Sequence, residues 1–320
     1  MKVLFLTRDY SKRTDAYTLY LPFQQMLKHS GVDVINVDAF VMYGDSYEPD
    51  ILNGKIIKQN VLNPDYINDK YDIVVGENFF PYFYEDWDSI QAKRVIWLED
   101  IHGYCPKWLE MVKNRIGLDG IFTHYLHAFH ENYDEENVYH LPHSISPSVH
   151  KDYELEKTYH SLLTGAIGES VYPLRWKIFK ELENKEYFKR IERPQNRLDK
   201  YPDSHPYGSK YCKHLNMSVM SFASTSIFKY TIAKLFEIPA CNSLLLSDFI
   251  PEMKELGFIP NENFIEIDMD TDINELIMSL SSEHIQNVTK KGYEFVHKNH
   301  SVKVRCEQFL EYCKEIKECR

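Results

Sequence analysis

Asp100 and His102 follow directly on the apolar run Val95-Ile96-Trp97-Leu98. A carboxylate and an imidazole two residues apart, just beyond a strand, can abstract a proton, either one acting as base or one orienting the other. The plainer reading makes Asp100 the cap of a following turn and His102 a surface residue. Other titratable groups fall at comparable places: Arg8 and Asp9, Glu77 and Asn78, Glu99, His124 and His143 in the first half, Asp248 in the second. The second half adds Gly165, Gly168, Ser224 to Ser226 and Ser247, small or hydroxylic residues that let a ligand approach the backbone. The histidines His124, His127, His130, His140 and His143 invite a metal reading, but their spacing matches no dedicated site, and no metal is expected. The run Phe79-Phe80-Pro81-Tyr82-Phe83-Tyr84, with Trp87, offers faces on which a sugar ring or apolar ligand could stack, or else fills core beneath a loop.

These residues share a position because of the elements that precede them. Short aliphatic runs alternate with longer helical patterns, the signature of βαβ units and a parallel sheet. Strands are expected at 2–7, 32–37, 72–75, 94–98, 120–123 and 138–141, with a helix at 15–29 that Gly31 stops. A second series has strands at 161–164, 218–222, 243–246 and 264–267 and helices at 173–182 and 230–236. The segment Pro142-His143-Ser144-Ile145-Ser146-Pro147 and the charged stretch after it have the composition of a connection. The fold class expected is therefore α/β, with two Rossmann-like doubly wound domains facing a cleft. In open parallel sheets ligands bind beyond the carboxyl ends of the strands, where the residues above fall. The segment 190–211, with Pro194, Pro202 and Pro206, reads as a long surface loop. Val302, Cys306, Phe309 and Cys313 form an apolar stripe on a last helix that must pack on something.

Composition narrows the function classes. The 320 residues carry 37 Lys plus Arg against 48 Asp plus Glu, a formal net charge of -11, which is the wrong sign for gripping nucleic acid. Lys185, Lys189, Arg190 and Arg193 form a local basic cluster, read as a solvated helix face. Mean hydropathy is -0.45, and no apolar stretch approaches the roughly 20 residues of a spanning helix. The opening Met1 to Leu6 is read as a strand, its apolar run being too short for a signal-peptide core. Six cysteines without a Cys-x-x-Cys pair point to reduced thiols and a cytoplasmic location.

Several motifs then converge. Leu141-Pro142-His143-Ser144-Ile145-Ser146 resembles the "LP-x-g-[VI]-[DS]" segment joining the two domains of GT-B glycosyltransferases. Thr164-Gly165-Ala166-Ile167-Gly168 with Tyr172-Pro173-Leu174-Arg175 is similar to the opening of the donor domain in their CgeB-like branch, "G…YP-x-R". Lys234-Leu235-Phe236-Glu237, continuing through Ala240-Cys241-Asn242, resembles that branch's "R-x-FE-x-x-ACG". Gly292-Tyr293-Glu294-Phe295-Val296, His300-Ser301 and Arg305 resemble its closing "NGYE-x-V…H[ST]…R". Together these span the C-terminal half in order; the N-terminal half is similar in architecture alone.

The resemblance implies an acceptor domain over 1–152, a nucleotide-sugar donor domain over 153–299, and a segment 300–320 packing back on the first. It implies a donor site of Gly165, Tyr172, Arg175, Lys229, Thr231, Lys234 and Glu237. Glu237 matches the second glutamate of the pair found in retaining members, which accepts hydrogen bonds from ribose hydroxyls. Thr231 to Lys234 would form a helix start facing the diphosphate, with Lys234 and Arg175 supplying positive charge. Lys229 stands where the first glutamate of the pair would fall, which leaves sugar specificity and stereochemical outcome open. Asn242 replaces a glycine but tolerates the left-handed conformation. Asp100 or His102 would activate the acceptor or contact the transferred sugar. The implied activity is metal-independent transfer of a sugar from a nucleoside diphosphate, UDP or GDP, to a glycan or other small acceptor, with no further cofactor. A sugar-nucleotide epimerase or hydrolase, or a non-catalytic nucleotide-sugar binding module, are the alternatives on the same fold.

Overall fold

The computed structural model describes residues 1–8, 20–37, 64–77, 89–103, 117–192 and 208–319. Asp9, Asn78, the aromatic run 79–84 with Trp87, Cys105 and Arg193 lie outside the described residues. The chain divides into two compact units, one running to Pro142 and taking in Arg305–Arg320, the other comprising His143–Val304.

The first unit carries β1 (Val3–Arg8), β2 (Asp33–Val37), β3 (Ile73–Glu77), β4 (Lys93–Leu98), β5 (Gly120–Thr123) and β6 (Val138–His140). All pair in parallel, in the order β2-β1-β3-β4-β5-β6. Every residue of β3 is buried, as are Val3 to Leu6 of β1, which is why these strands read as continuous apolar runs rather than alternations. The helices are α1 (Tyr20–His29), α2 (Pro64–Lys70) and α3 (Leu126–Asn132).

The second unit has β7 (Tyr159–Thr164), β8 (Phe188–Ile191), β9 (Ser218–Phe222), β10 (Leu244–Ser247) and β11 (Ile265–Glu266). They are again all parallel, in the order β11-β10-β9-β7-β8. Its helices are α4 (Pro173–Leu182), α5 (Ser209–Asn216), α6 (Lys234–Ala240), α7 (Pro251–Glu255), α8 (Ile273–Ser279) and α9 (Ser282–Asn299), followed by α10 (Val302–Glu318), which continues into the first unit. Alternate residues of the strands feed two cores. Leu162 and Leu245 pack with Phe236 of α6 and Val296 of α9, while Leu163, Leu244 and Leu246 pack with Ile178 of α4 and Ile277 of α8. The sheet is thus covered on both faces. In each unit the strand order changes direction between the first strand and the third, β1 and β3 in one and β7 and β9 in the other. That switch is where parallel sheets open a crevice at their carboxyl ends.

Three expectations are corrected. The basic residues Lys189 and Arg190 lie on β8, an edge strand, rather than on a helix face; Arg190 stacks 4.6 Å over the Phe179 ring and pairs with Glu192 at 3.4 Å. The expected loop 190–211 ends in α5, whose buried Cys212 and Leu215 give it an apolar face. The helix read at 230–236 starts instead at Lys234, because Ser226 (φ 64°) and Lys229 (φ 53°) make a tight turn and residues 230–233 complete the entry.

The closing motif is structural. A Cβ on Gly292 would lie 2.6 Å from the Asn263 carbonyl oxygen and 3.3 Å from Pro239 Cβ, so only glycine lets α9 seat this closely. His300 Nε2 bonds the Leu256 carbonyl at 3.0 Å among Phe236, Phe258 and Phe295. Arg305 Nε donates to the Pro142 carbonyl at 3.0 Å, and Asn242 takes up φ 55° with its side-chain amide donating to Asp152 at 2.7 Å.

Candidate functional site

At the carboxyl end of β7, Thr164 leads into Gly165, whose φ of 87° is in the region that glycine alone enters freely. A Cβ there would stand 3.4 Å from Lys234 Nζ. Lys234 opens α6 and donates to Thr164 Oγ1 at 2.7 Å and to the Tyr211 hydroxyl at 3.3 Å, its ammonium lying 5.1 Å from the Tyr211 ring centre. Burial, and after it the Glu237 carboxylate, push the Tyr211 phenol well above its ordinary pKa, so it keeps its proton. The result is a cation held at the switch point beside a glycine turn, an arrangement suited to an anionic ligand.

Arg175 is placed differently from what its sequence position implies. It is 3% exposed, and its guanidinium stacks 4.1 Å over Tyr172. Nη2 donates to the Ser224 carbonyl at 3.1 Å and Nη1 to the Ala166 carbonyl at 3.4 Å. These bonds tie the loop after β7 to the loop after β9. Nε is buried with no hydrogen-bond partner among the described residues. Asp248, after β10, accepts from Thr225 N at 2.8 Å and Thr225 Oγ1 at 2.5 Å, fixing the same loop from its other side. Arg175 and Tyr172 therefore shape the rim.

Glu237 lies one turn into α6 and is 7% exposed. His150 Nε2 stands 3.8 Å from its Oε1, both side chains being buried. Burial opposes a charge on the His150 ring, but the Cys212 thiol and the Glu237 carboxylate outweigh it and raise its pKa. Cys212 and Cys241, both buried free thiols, lie in hydrogen-bonding contact; the bond to Cys241 lowers Cys212, whereas burial holds Cys241 high. Thr231 sits before α6, not in its first turn, and its hydroxyl donates to the buried Glu252 carboxylate. Lys229 is exposed in the turn that precedes it.

The model of the glycosyl transferase-like family matches residues 175–311, which includes α6 and both of its charged residues. No curated protein matches the chain by sequence. Among solved structures, HepE from Anabaena, in complex with UDP and glucose, superposes with a TM-score of 0.64 at 9% identity, over 98% of this chain and 100% of that one. Sucrose-phosphate synthase from Thermosynechococcus elongatus gives 0.64 at 10% identity over 99% of each chain. A glycosyltransferase from Rickettsia africae gives 0.63 at 14% identity, over 100% and 99%.

The chain has the GT-B fold. Of the residues expected to serve a donor in a GT-B chain, the structure gathers Gly165 with Lys234 and Arg175 with Tyr172, and puts Glu237 on the helix that Lys234 begins. Thr231 and Lys229 are set apart on the segment leading to it. In the first GT-B unit, Asp100 and His102 are both exposed, His102 on a short 3-10 turn, Ile101–Gly103, after β4. Sequence reasoning missed Tyr211 and His150. The spacing of Tyr211, Cys212 and Leu215 is helical and could have extended the pattern into α5; nothing local marks His150, because its partner is on a distant helix.

Proposed function

We propose that the protein is a glycosyltransferase that moves a sugar from a nucleoside diphosphate to an acceptor hydroxyl, with the donor held by the His143–Val304 unit. The observation that carries this is the pairing of Lys234 and Glu237 on one short helix beside the Gly165 turn, at the switch point of a parallel sheet. In transfer, the bond from the anomeric carbon to the diphosphate oxygen breaks and its electron pair leaves with the diphosphate. The acceptor oxygen forms the new bond and gives up its proton. Lys234 faces the charge that grows on the leaving group, which is the main electrostatic task. Glu237 accepts from the ribose hydroxyls and so registers the nucleotide, while Arg175 acts through the two loops that it braces. Asp100 and His102 are the proposed candidates for the acceptor's base.

The match over 175–311 and neighbours such as HepE with UDP and glucose support a nucleotide-sugar donor, and make UDP the first nucleotide to test, ahead of GDP. The ordered motifs from Tyr172 to Arg305 support the CgeB-like branch. Described cysteines that remain free, two of them in contact, support a reducing, cytoplasmic setting. Metal independence is part of the proposal.

The test is a thermal-shift titration with UDP and GDP, each with and without Mg²⁺. At 100-fold its dissociation constant a ligand of the folded state adds about 2.7 kcal/mol. A shift with one nucleotide, independent of Mg²⁺ and lost in Glu237→Ala, is expected. No shift with either, or a shift unchanged in that variant, overturns the donor site. Free sugar released from the donor, with no product on any acceptor, would make the enzyme a hydrolase.

A further inference from the structure

The segment after the first unit looks in sequence like a connection, yet it delivers a histidine to α6. Ile145 is anchored by its bridge to Ser301, its N–H donating to the His300 carbonyl at 2.8 Å. The next residues close a turn on themselves. Val149 N–H and His150 N–H both donate to the Ser146 carbonyl, at 2.9 and 2.7 Å, and Ser146 N–H donates back to His150 Nδ1 at 3.1 Å. Ser146 and Ser148 join hydroxyls at 2.9 Å, and the Tyr153 hydroxyl donates to the Val149 carbonyl at 2.6 Å. The ring of His150 is therefore held through its backbone and through Nδ1, and it is 4% exposed.

A nitrogen that accepts an N–H bears no hydrogen, so the ring proton sits on Nε2. A second proton would go to Nδ1 at the expense of the Ser146 bond and would leave the Nε2–H in place. That N–H lies 3.8 Å from Glu237 Oε1. The gap is longer than a hydrogen bond, and such contacts in unliganded sites commonly tighten when the ligand arrives. A carboxylate this buried needs a donor to offset its lost hydration, and a rigid one also fixes which way its second oxygen points.

We propose that His150 is the positioning residue of Glu237, its Nε2–H clamping one carboxylate oxygen so that the other is presented to the ribose diol of the bound nucleotide. The inference rests on the donor site proposed above and adds what holds that site's carboxylate. Its rival is that the N–H is spent on the Cys212 thiol, which lies in hydrogen-bonding contact with the same ring.

Two substitutions separate the ring's two jobs. His150→Asn keeps an acceptor near Nδ1 for Ser146 and removes the donor; His150→Gln places an amide N–H near Nε2. Dissociation constants would be measured for UDP and 2′-deoxy-UDP, with GDP and 2′-deoxy-GDP in parallel. A charge-assisted hydrogen bond to the 2′-hydroxyl should give the wild type a preference for the ribonucleotide of about tenfold or more. We expect His150→Asn to lose most of that preference with little change in affinity for the deoxy form, and His150→Gln to recover part of it. A wild-type preference kept in His150→Asn, or an equal loss for both nucleotides, overturns the proposal. Glu237→Gln run alongside distinguishes the failures. If it leaves the preference intact, the donor reading fails and this inference with it; if it abolishes the preference and His150→Asn does not, only this inference fails. Should His150→Asn not fold, the Nε2–H resonance of imidazole-¹⁵N-labelled wild type decides, since it must move downfield on adding UDP in a protein that binds it, and an unmoved signal sinks the clamp.

Discussion

Lys234 joins the end of β7 to the start of α6 by donating to the side-chain oxygens of Thr164 and Tyr211. Replacing it with alanine is expected to weaken UDP binding at least tenfold, as loss of a charged hydrogen bond does, and to leave uridine binding almost unchanged. Paired calorimetric titrations read both. In the other unit His124 makes a different point. It is 2% exposed, its Nδ1–H donates to the Leu141 carbonyl at 2.7 Å, and burial lowers its pKa from 6.5 to about 4. Between those values an unfolded chain takes up a proton that the folded residue refuses. The stability from neutral His124 is therefore complete above pH 6.5 and is lost as pH falls toward 4, by about 3 kcal/mol. Urea midpoints across that window should fall more steeply for the wild type than for His124→Asn, which keeps a donor and does not titrate. Parallel slopes would refute the assignment.

At the scale of elements, α9 sits where it does because one position has no side chain. Gly292→Ala must push aside the Asn263 carbonyl, which is backbone and cannot rotate away. We expect a loss of roughly 2 kcal/mol, in the range of overpacked cores, in spite of alanine's better helix propensity, measured as a lower urea midpoint. Pro173 begins α4, whose start was read from the sequence, whereas Ser281 and Asp272 cap α9 and α8 through the N–H groups of His284 and Glu275, at 3.2 and 2.8 Å, signals that the sequence reading did not use. The start of α6 was not legible. Its apolar pattern runs on from Tyr230, but two left-handed residues upstream break the backbone, and periodicity carries no sign of φ. The strand β8 was obscured too, being three half-buried residues and the exposed Lys189 at a sheet edge, with a basic pair that suggests solvent.

For the molecule as a whole, the last helix matters most. The stripe Cys306, Phe309, Cys313 and Ile316 is buried, with Phe309 among Phe5, Phe23 and Phe122 at ring distances of 6.0, 6.1 and 5.3 Å. Lys317 pairs with Asp72 at 2.9 Å, and a Cβ on Gly120 would meet Ile316 at 2.9 Å. The first unit's core is therefore incomplete until α10 is in place. Phe309→Ala should cost about 3–5 kcal/mol, and limited proteolysis should then open the first unit before the second. Cleavage beginning in His143–Val304 would contradict this. The buried strands could be read from the chain alone, because a strand covered on both faces must be apolar along its whole length, as in Val3 to Leu6 and Ile73 to Val75. The chain also determined the order of the charged residues at the strand ends, since chain direction fixes which end of a parallel strand comes last. Three features came from the fold and not from the chain: His150 faces Glu237, Arg175 is spent on two carbonyls, and Phe309 completes the core of the N-terminal unit. Each of these joins segments far apart in the chain, and what brings them together is the packing of whole elements, which no local pattern of residues encodes.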